Sequence, residues 1–231
     1  MSQHTIVNSQ LVTSSDLMIP PLGLAGTLNM PKSLAGLIVF AHGSGSSRLS
    51  PRNMTVAQAL NHRGFATLLF DLLTPGEEAN RANVFDISLL ADRLVEVAQW
   101  LDREGPSVAD LPVGLFGAST GAAAALVAAA RLPDRISAVV SRGGRPDLAG
   151  DAIPMVRAPT LLIVGGADVR VIKLNKEALA LLRPPKKIEI IAGATHLFPE
   201  PGAMKAVIEL AAKWFEQHLA TPRRLHAGQR P

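Results

Sequence analysis

Short apolar runs rich in β-branched residues alternate with helical patterns from about residue 36 onward, and this alternation restricts the possible folds most strongly. A run such as Leu161–Val164 is apolar at every position, which is typical of strands in a parallel sheet that helices cover on both faces. The pattern predicts six strands, at Gly36–Ala41, Gly64–Asp71, Val113–Phe116, Ile136–Val140, Thr160–Val164 and Lys187–Ile191. Because helical segments separate these strands, we expect a single doubly wound α/β domain.

Three segments between or after these strands have helical patterns. Two of them carry apolar side chains along one face, and Asp86 is placed to cap the first. The third consists almost entirely of alanine and other small apolar residues, so we expect it to be buried on all sides and to end before Pro133. The three segments are Ile87–Leu101, Met204–Leu219 and Ser119–Arg131.

The two ends of the chain differ from the middle. Turn signals at Pro20-Pro21 and Asn29–Pro31 predict one or two antiparallel strands at an edge of the sheet. We expect one domain over residues 1–220, followed by a basic, disordered C-terminal tail at residues 221–231.

The chain has 231 residues and no cysteine. This excludes disulfide bonds, a thiolate nucleophile and cysteine-based zinc sites. The N-terminus lacks the pattern of a signal peptide, and the longest apolar run, Gly121–Ala130, is shorter than the roughly 20 residues that span a bilayer. We therefore expect a cytoplasmic protein with no membrane partner.

The formal net charge of +4 raises the question of nucleic-acid binding. Much of the excess comes from Arg223, Arg224 and Arg230 in the tail, where a basic segment is usual for a frayed terminus. The sequence has no tyrosine and no aromatic-rich strand on which bases would stack. We expect a small-molecule partner and no nucleic acid.

The pentapeptide Gly117-Ala118-Ser119-Thr120-Gly121 lies between a predicted buried strand and the alanine-rich helix. A sharp strand-to-helix turn holds a serine hydroxyl away from the backbone, and it requires very small residues two before and two after the serine. The pattern therefore predicts Ser119 as a nucleophile. The alternative is a serine that caps the helix within a tight turn.

A glycine-rich loop, Ala41–Ser47, follows the first predicted parallel strand. Acyl transfer needs two N–H donors for the oxyanion, and such a loop usually provides one, while the residue after the nucleophile provides the other. We predict the Ser44 amide, with Gly45 as second choice, together with the Thr120 amide. A phosphate-binding loop is the alternative, although the lysine of a P-loop is missing. His42 is expected to shape the loop.

An aspartate and a histidine follow the last two predicted strands. Asp168 lies in Gly165-Gly166-Ala167-Asp168, and His196 ends Gly193-Ala194-Thr195-His196. The chain order of serine, aspartate and histidine is that of α/β hydrolases. We predict His196 as the general base and Asp168 as its partner, with Asp147 and Asp151 as competing acids.

The chain resembles the α/β-hydrolase superfamily, and within it the dienelactone-hydrolase-related group. The resemblance is carried by His42–Asn53, Phe85–Leu101, Leu115–Gly121 and Ser141–Asp147. It implies an eight-stranded, mostly parallel sheet without a large cap domain, and hydrolysis of a carboxylic ester, thioester or lactone without cofactor or metal. Dienelactone hydrolases themselves use cysteine where this chain has serine, which favours a general esterase.

Three arginines lie in the loops that follow the predicted strands. Arg142 is a candidate for binding a carboxylate on the substrate, and Arg48 and Gly45 are further candidates for substrate contact. The alternative is an ion pair of Arg142 or Arg145 with Asp147 that only holds the loop. The polar stretch at residues 74–82 is expected to be a loop that covers the site as a short lid.

Two other functions remain open from the sequence. The same fold serves as a non-catalytic binding or regulatory module, and the same triad serves acyl transfer to acceptors other than water. The sequence does not predict the natural substrate or the oligomeric state.

Overall fold

A computed structural model describes residues 12–104, 108–183 and 185–219 of the chain. The strands are β1 Val12–Ile19, β2 Leu24–Pro31, β3 Gly36–Ala41, β4 Phe65–Phe70, β5 Val113–Ala118, β6 Ile136–Arg142, β7 Thr160–Gly165 and β8 Lys186–Ile191. The helices are α1 Pro51–His62, α2 Pro75–Glu78, α3 Arg81–Val84, α4 Ile87–Glu104, α5 Thr120–Arg131, α6 Val169–Leu181 and α7 Ala203–His218, with a 3₁₀ segment at Pro146–Met155.

The eight strands form one sheet in the order β1-β2-β4-β3-β5-β6-β7-β8. β1 pairs antiparallel with β2, and β2 pairs antiparallel with β4, whereas the remaining pairs are parallel. The prediction of a mostly parallel eight-stranded sheet is confirmed. The six predicted parallel strands occur within two residues of their predicted ends, and the N-terminal segment supplies the antiparallel edge.

Helices cover the sheet on both faces, because successive residues of each buried strand point to opposite sides. On β5, Leu115 packs in the core that α4, α5 and α6 cover, while Phe116 packs in the core that α1 and α7 cover. The predicted helix cap is also present, since Asp86 Oδ1 accepts the Leu89 N–H at 3.0 Å. The fold is therefore doubly wound, with helices on both faces of the sheet, as predicted.

The segment that we predicted as a polar loop over residues 74–82 instead contains the one-turn helices α2 and α3. Thr74 and Glu77 form a reciprocal capping box at the start of α2. Arg93 on α4 binds Glu77 at 2.6 Å, which holds α2 against α4. The same guanidinium also binds Glu96 of α4 at 2.9 Å. Local caps and one buried arginine therefore replace the expected loop.

Some sequence expectations fall on residues outside those described. The basic tail at residues 221–231 and the first eleven residues of the predicted domain belong to this group. Within the described ranges, no large cap domain interrupts the sheet. None of the helices in these ranges combines the length and the apolar character needed to cross a membrane.

A substitution at Gly114 on β5 would test how closely α7 packs on the sheet. A Cβ atom at this position would lie 2.6 Å from Cε1 of the buried Phe215 ring on α7. We expect Gly114→Ala to lower the free energy of unfolding by about 1–3 kcal/mol, measured by urea denaturation.

Gly76→Ala on α2 is the matched control, because no atom outside its own neighbourhood lies within 4 Å of the added methyl group. Equal urea midpoints for Gly114→Ala and the unchanged protein would contradict the close packing of α7 on β5.

Candidate active site

Ser119 lies at the turn between β5 and α5 with φ 51° and ψ −121°. A positive φ is uncommon for a residue with a side chain and costs about 1–3 kcal/mol, so the surrounding structure must hold it in place. The Ser119 side chain makes no capping hydrogen bond to the helix that follows. That helix, α5, begins at the next residue, Thr120, and the first amides of a helix favour negative charge.

Glycines allow the turn at Ser119 to pack closely against its neighbours. A Cβ atom at Gly121 would lie 2.3 Å from the Ala41 carbonyl oxygen and 2.4 Å from that of His42. A Cβ atom at Gly117 would lie 2.4 Å from Cα of Ala122. Any larger residue at either position would displace the backbone, which is the physical reason for the glycine spacing around Ser119.

The loop after β6 holds the backbone of Ser119. The Ser119 N–H donates to the Arg142 carbonyl oxygen at 3.3 Å, and the Arg145 N–H donates to the Ser119 carbonyl oxygen at 3.1 Å. Between them, Gly143 has φ 52°, and a Cβ atom there would lie 2.8 Å from the His196 carbonyl oxygen. The backbone of residues 142–145 therefore lies between the serine turn and the histidine loop.

Asp168 and His196 are joined directly, since Nδ1 of His196 lies 2.8 Å from Oδ2 of Asp168. Of the two competing acids, Asp147 forms an ion pair with Arg145 and Asp151 is exposed on the 3₁₀ segment. With the carboxylate on Nδ1–H, Nε2 is the nitrogen left to take a proton.

In the described part of the chain, no hydrogen bond joins Ser119 to His196. Such bonds are often long in a free enzyme and tighten when substrate binds.

The loop after β3 packs against the serine turn. A Cβ atom at Gly43 would lie 3.0 Å from Cβ of Ser119. The Ser44 N–H donates to Oγ1 of the buried Thr120 at 2.9 Å, so this amide points toward the start of α5. Gly45 is exposed and has φ 68°. Of the two amides considered from the sequence, the one on Ser44 is therefore directed toward Thr120.

His42 uses both ring nitrogens inside the protein. The Leu72 N–H donates to Nε2 at 3.0 Å, so Nδ1 carries the proton and donates to the Gly43 carbonyl oxygen at 3.0 Å. Burial lowers the pKa of His42 from 6.5, against opposing contributions from the Gly43 hydrogen bond and from Asp71 and Glu78. These contacts give His42 a structural role in the loop.

The three candidate arginines have different surroundings. The backbone N–H of Arg48 donates to Asp71 at 2.7 Å, and Nη1 of its side chain donates to the same carboxylate at 2.8 Å. Asp71 therefore neutralises the charge of Arg48. Arg145 binds both carboxylate oxygens of Asp147, at 2.9 and 2.7 Å. Arg142 is buried, and its Nη2 donates to Oδ1 of Asn53 at 3.3 Å.

Two depressions have very different sizes. A cleft of about 20 Å³ beside the β3 loop, lined by residues that include His42, Ser44 and Glu78, has room for about one water molecule. A groove of about 810 Å³ lies between β2 and α1, lined partly by Asn29 and Met54, and contains none of the predicted catalytic residues. Neither depression has Ser119, Asp168 or His196 among its lining residues.

Two residues that support the site were not predicted from the sequence. Gly143 could have been suspected from the Gly-Gly pair that follows β6, whereas Asn175 carries no sequence signal. Asn175 is fully buried on α6, and its Nδ2 donates to the carbonyl oxygens of Gly144 at 3.0 Å and Val171 at 2.8 Å. It thereby fixes the loop that holds Ser119. Among the described residues, no group of three or more histidine or acidic side chains is placed to bind a metal ion.

Residues 36–162 match the family model described as the alpha/beta hydrolase fold. Two curated proteins from two strains of Mycobacterium tuberculosis, each provisionally named a phosphoribosyl transferase, are 59% identical over 202 residues. The match covers 87% of this chain and 45% of each relative. The chain thus spans about half the length of the curated relatives it matches.

Solved structures give the same picture. A dienelactone hydrolase from Anabaena variabilis is 52% identical, with a TM-score of 0.86 over 90% of this chain and 98% of that one. An α/β serine hydrolase without lid from Xanthomonas campestris is 22% identical, with a TM-score of 0.71 over 91% and 97%. At 22% identity, the second structure shows only that the two chains share a fold.

The buried neutral His42 predicts a pH-dependent contribution to stability. Because burial lowers its pKa in the folded state, the unfolded chain binds more protons near and below pH 6.5. This contribution is fully present above pH 6.5 and is lost as the pH falls through the lower pKa of the folded state. We expect His42→Gln, which gains no charge, to lack this component when urea denaturation is followed from pH 8 to pH 5.

The comparison is the difference between the two stability profiles, because the carboxylates titrate in both proteins. Parallel profiles over this range would contradict the role of neutral His42.

Proposed function

Since this chain belongs to the α/β-hydrolase family, within its dienelactone-hydrolase-related group, we propose that it hydrolyses a carboxylic ester, thioester or lactone through an acyl-enzyme on Ser119. The family and the similar structures support a hydrolase-type activity in general. The observation that carries the finer proposal is a strained serine between a buried strand and a helix, at the same sheet edge as an Asp–His pair.

The first half of the reaction forms the acyl-enzyme. Oγ of Ser119 attacks the carbonyl carbon while its proton passes to Nε2 of His196. The bond between the carbonyl carbon and the leaving group then breaks, and His196 gives its proton to the departing alkoxide or thiolate, which leaves as the alcohol or thiol. Asp168 holds the Nδ1–H and stabilises the imidazolium that forms between the two proton transfers.

The second half repeats these transfers with water. His196 takes a proton from the attacking water, the tetrahedral intermediate collapses, and Ser119 recovers its proton as the carboxylic acid leaves. The substrate carbonyl oxygen becomes negative in both halves. We assign the Thr120 and Ser44 amides as its donors. The Thr120 amide begins α5, and the Ser44 N–H, which donates to Oγ1 of Thr120 in the free protein, must turn from that oxygen to the oxyanion when substrate reacts.

Substitution of the nucleophile tests the proposal directly. We expect Ser119→Ala to lower kcat on p-nitrophenyl esters by about 10⁴- to 10⁶-fold and to abolish labelling by a fluorophosphonate probe. Asp168→Asn should lower kcat by about 10⁴-fold, because the imidazole tautomer is no longer fixed.

Ser15→Ala removes an exposed hydroxyl from β1 and serves as the matched control. Undiminished labelling of Ser119→Ala, or no labelling of the unchanged protein, would show that the assignment of Ser119 is wrong.

The Thr120 side chain provides a test of the oxyanion donors. Thr120→Val keeps the shape of the side chain but removes the oxygen that accepts the Ser44 N–H. We expect kcat to fall by about 10²-fold with a smaller change in KM, because the Ser44 amide loses the oxygen that holds it beside α5 and is then misplaced in the transition state. Thr120→Ser should restore most of the loss. Equal kcat values for Thr120→Val and the unchanged enzyme would favour a different second donor, with Gly45 as the candidate.

Acyl transfer to an acceptor other than water uses the same residues. Product analysis with competing alcohols separates the two reactions, because a transferase would give the new ester as its main product. The name of the M. tuberculosis relatives describes proteins more than twice as long as the matched segment, so the transfer reaction in that name is not assigned to this chain.

A further inference from the structure

Arg142 is a buried cation beside the proposed nucleophile. It ends β6, its carbonyl oxygen accepts the Ser119 N–H, and only 6% of its surface is exposed. Val140, two residues earlier on the same strand, packs in the core beneath α1 and α7. The Arg142 side chain points to that same face, where it meets Asn53 of α1.

The hydrogen bonds of this guanidinium are incomplete. Within the described ranges, Arg142 makes one side-chain hydrogen bond, from Nη2 to the neutral amide oxygen of Asn53 at 3.3 Å. Its Nε is buried and has no partner in the same part of the chain, which is also true of Nε in Arg48 and Arg93, so what distinguishes Arg142 is the partner of its terminal nitrogens. Arg93, another arginine of low exposure, binds two carboxylates instead. No carboxylate of the described residues pairs with Arg142, whereas a buried cation normally has such a partner.

More positive charge is present close by. Burial, followed by the charge of neighbouring Arg52, lowers the pKa of Arg142 to about 10, which leaves it protonated at neutral pH. Arg52 is exposed and lies in the first turn of the 12-residue helix α1. The N-terminus of this helix is capped by the Ser50 side chain and begins with Pro51, which has no N–H to donate. The same turn follows directly on the loop that carries Ser44. Two arginines therefore lie near each other beside the proposed catalytic residues.

We propose that Arg142, together with Arg52, forms a subsite for a phosphate or carboxylate group that the ester substrate carries. The subsite deepens the proposed function and rests on it. An anionic group there would complete the hydrogen bonds of the buried guanidinium and orient the ester over Ser119. The presence of two cations favours phosphate, which carries about −1.5 to −2 charges near neutral pH, over a single carboxylate.

Anion binding can be measured without catalysis. In the Ser119→Ala variant, sodium phosphate or sodium succinate should raise the Tm in a concentration-dependent way, compared with sodium chloride at equal ionic strength. The same anions should have no such effect on Ser119→Ala/Arg142→Met. Stabilisation by phosphate alone assigns a phosphate subsite, and stabilisation by succinate alone assigns a carboxylate subsite. Failure of both anions to stabilise Ser119→Ala would overturn the proposal, whether or not Ser119 is the nucleophile.

A stability measurement separates this role from a purely structural one. If Arg142 only held the fold, Arg142→Met would lower the Tm. Because an incompletely paired buried charge costs stability, we expect Arg142→Met to have an equal or higher Tm in the absence of anions. A lower Tm for both Arg142→Met and Arg142→Gln, without loss of anion binding, would count against the subsite.

Substrate preference gives the functional readout. Matched p-nitrophenyl esters, with an acyl chain that ends in a carboxylate, a phosphate or a neutral group, should show a higher kcat/KM for an anionic ester. We expect Arg142→Met to lower the ratio of anionic to neutral kcat/KM by roughly 10- to 100-fold, the effect of losing charge-assisted hydrogen bonds.

Arg157→Met is the matched control, since it removes an exposed arginine that lies before β7, at the opposite edge of the sheet. An unchanged ratio in Arg142→Met would overturn the proposal. If the ratio is unchanged in Arg142→Met but Ser119→Ala has lost all activity, the subsite is wrong and the proposed hydrolase function still holds.

Discussion

The strained backbone of Ser119 is the constraint on which the rest of the site depends. A φ of 51° is unfavourable for serine, and the contacts around it must offset that cost. Arg142 accepts the Ser119 N–H, and the N–H groups of Ala122 and Arg145 donate to its carbonyl oxygen. The two glycines of the motif allow the strand, the helix and the β3 loop to approach closely enough for these bonds to form. A change in any of these contacts would alter the direction of the side chain.

The topology of the sheet then brings the remaining parts of the site to the same edge. β3, β5, β6, β7 and β8 are neighbours in this order and are parallel, so their carboxyl ends lie side by side. They lead, respectively, into the Ser44 loop, Ser119, the supporting loop at Arg142, Asp168 and His196. Residues far apart in sequence thus become neighbours through ordinary strand pairing. Loops of a few residues can place them, with no cap domain over the site within the described ranges.

The sequence was sufficient to predict the structural elements that depend on local residue patterns. Continuous apolar runs predicted the parallel strands, and the elbow motif placed Ser119 between β5 and α5. The sequence favoured Asp168 as the partner of His196 but left Asp147 and Asp151 as competing acids. The structure separates them, because Asp168 lies 2.8 Å from Nδ1 of His196 and Asp147 pairs with Arg145. The helices α2 and α3 were missed although local signals were present, since Thr74 and Glu77 form a capping box and Asn80 caps α3. What the sequence could not show is the contact of Glu77 with Arg93, which lies on a different helix.

The sequence also could not show which of the three candidate arginines are paired with a carboxylate. In the sequence, Arg48, Arg142 and Arg145 are equivalent loop or strand-end cations. In the structure, carboxylates neutralise Arg48 and Arg145, whereas the more deeply buried Arg142 is bonded to an amide oxygen. A fold selected only for stability would gain from replacing such a cation with an apolar side chain of similar size. The presence of this cation beside a strained serine is therefore better explained by binding than by folding, because an anionic substrate would complete the hydrogen bonds that the protein itself leaves unmade.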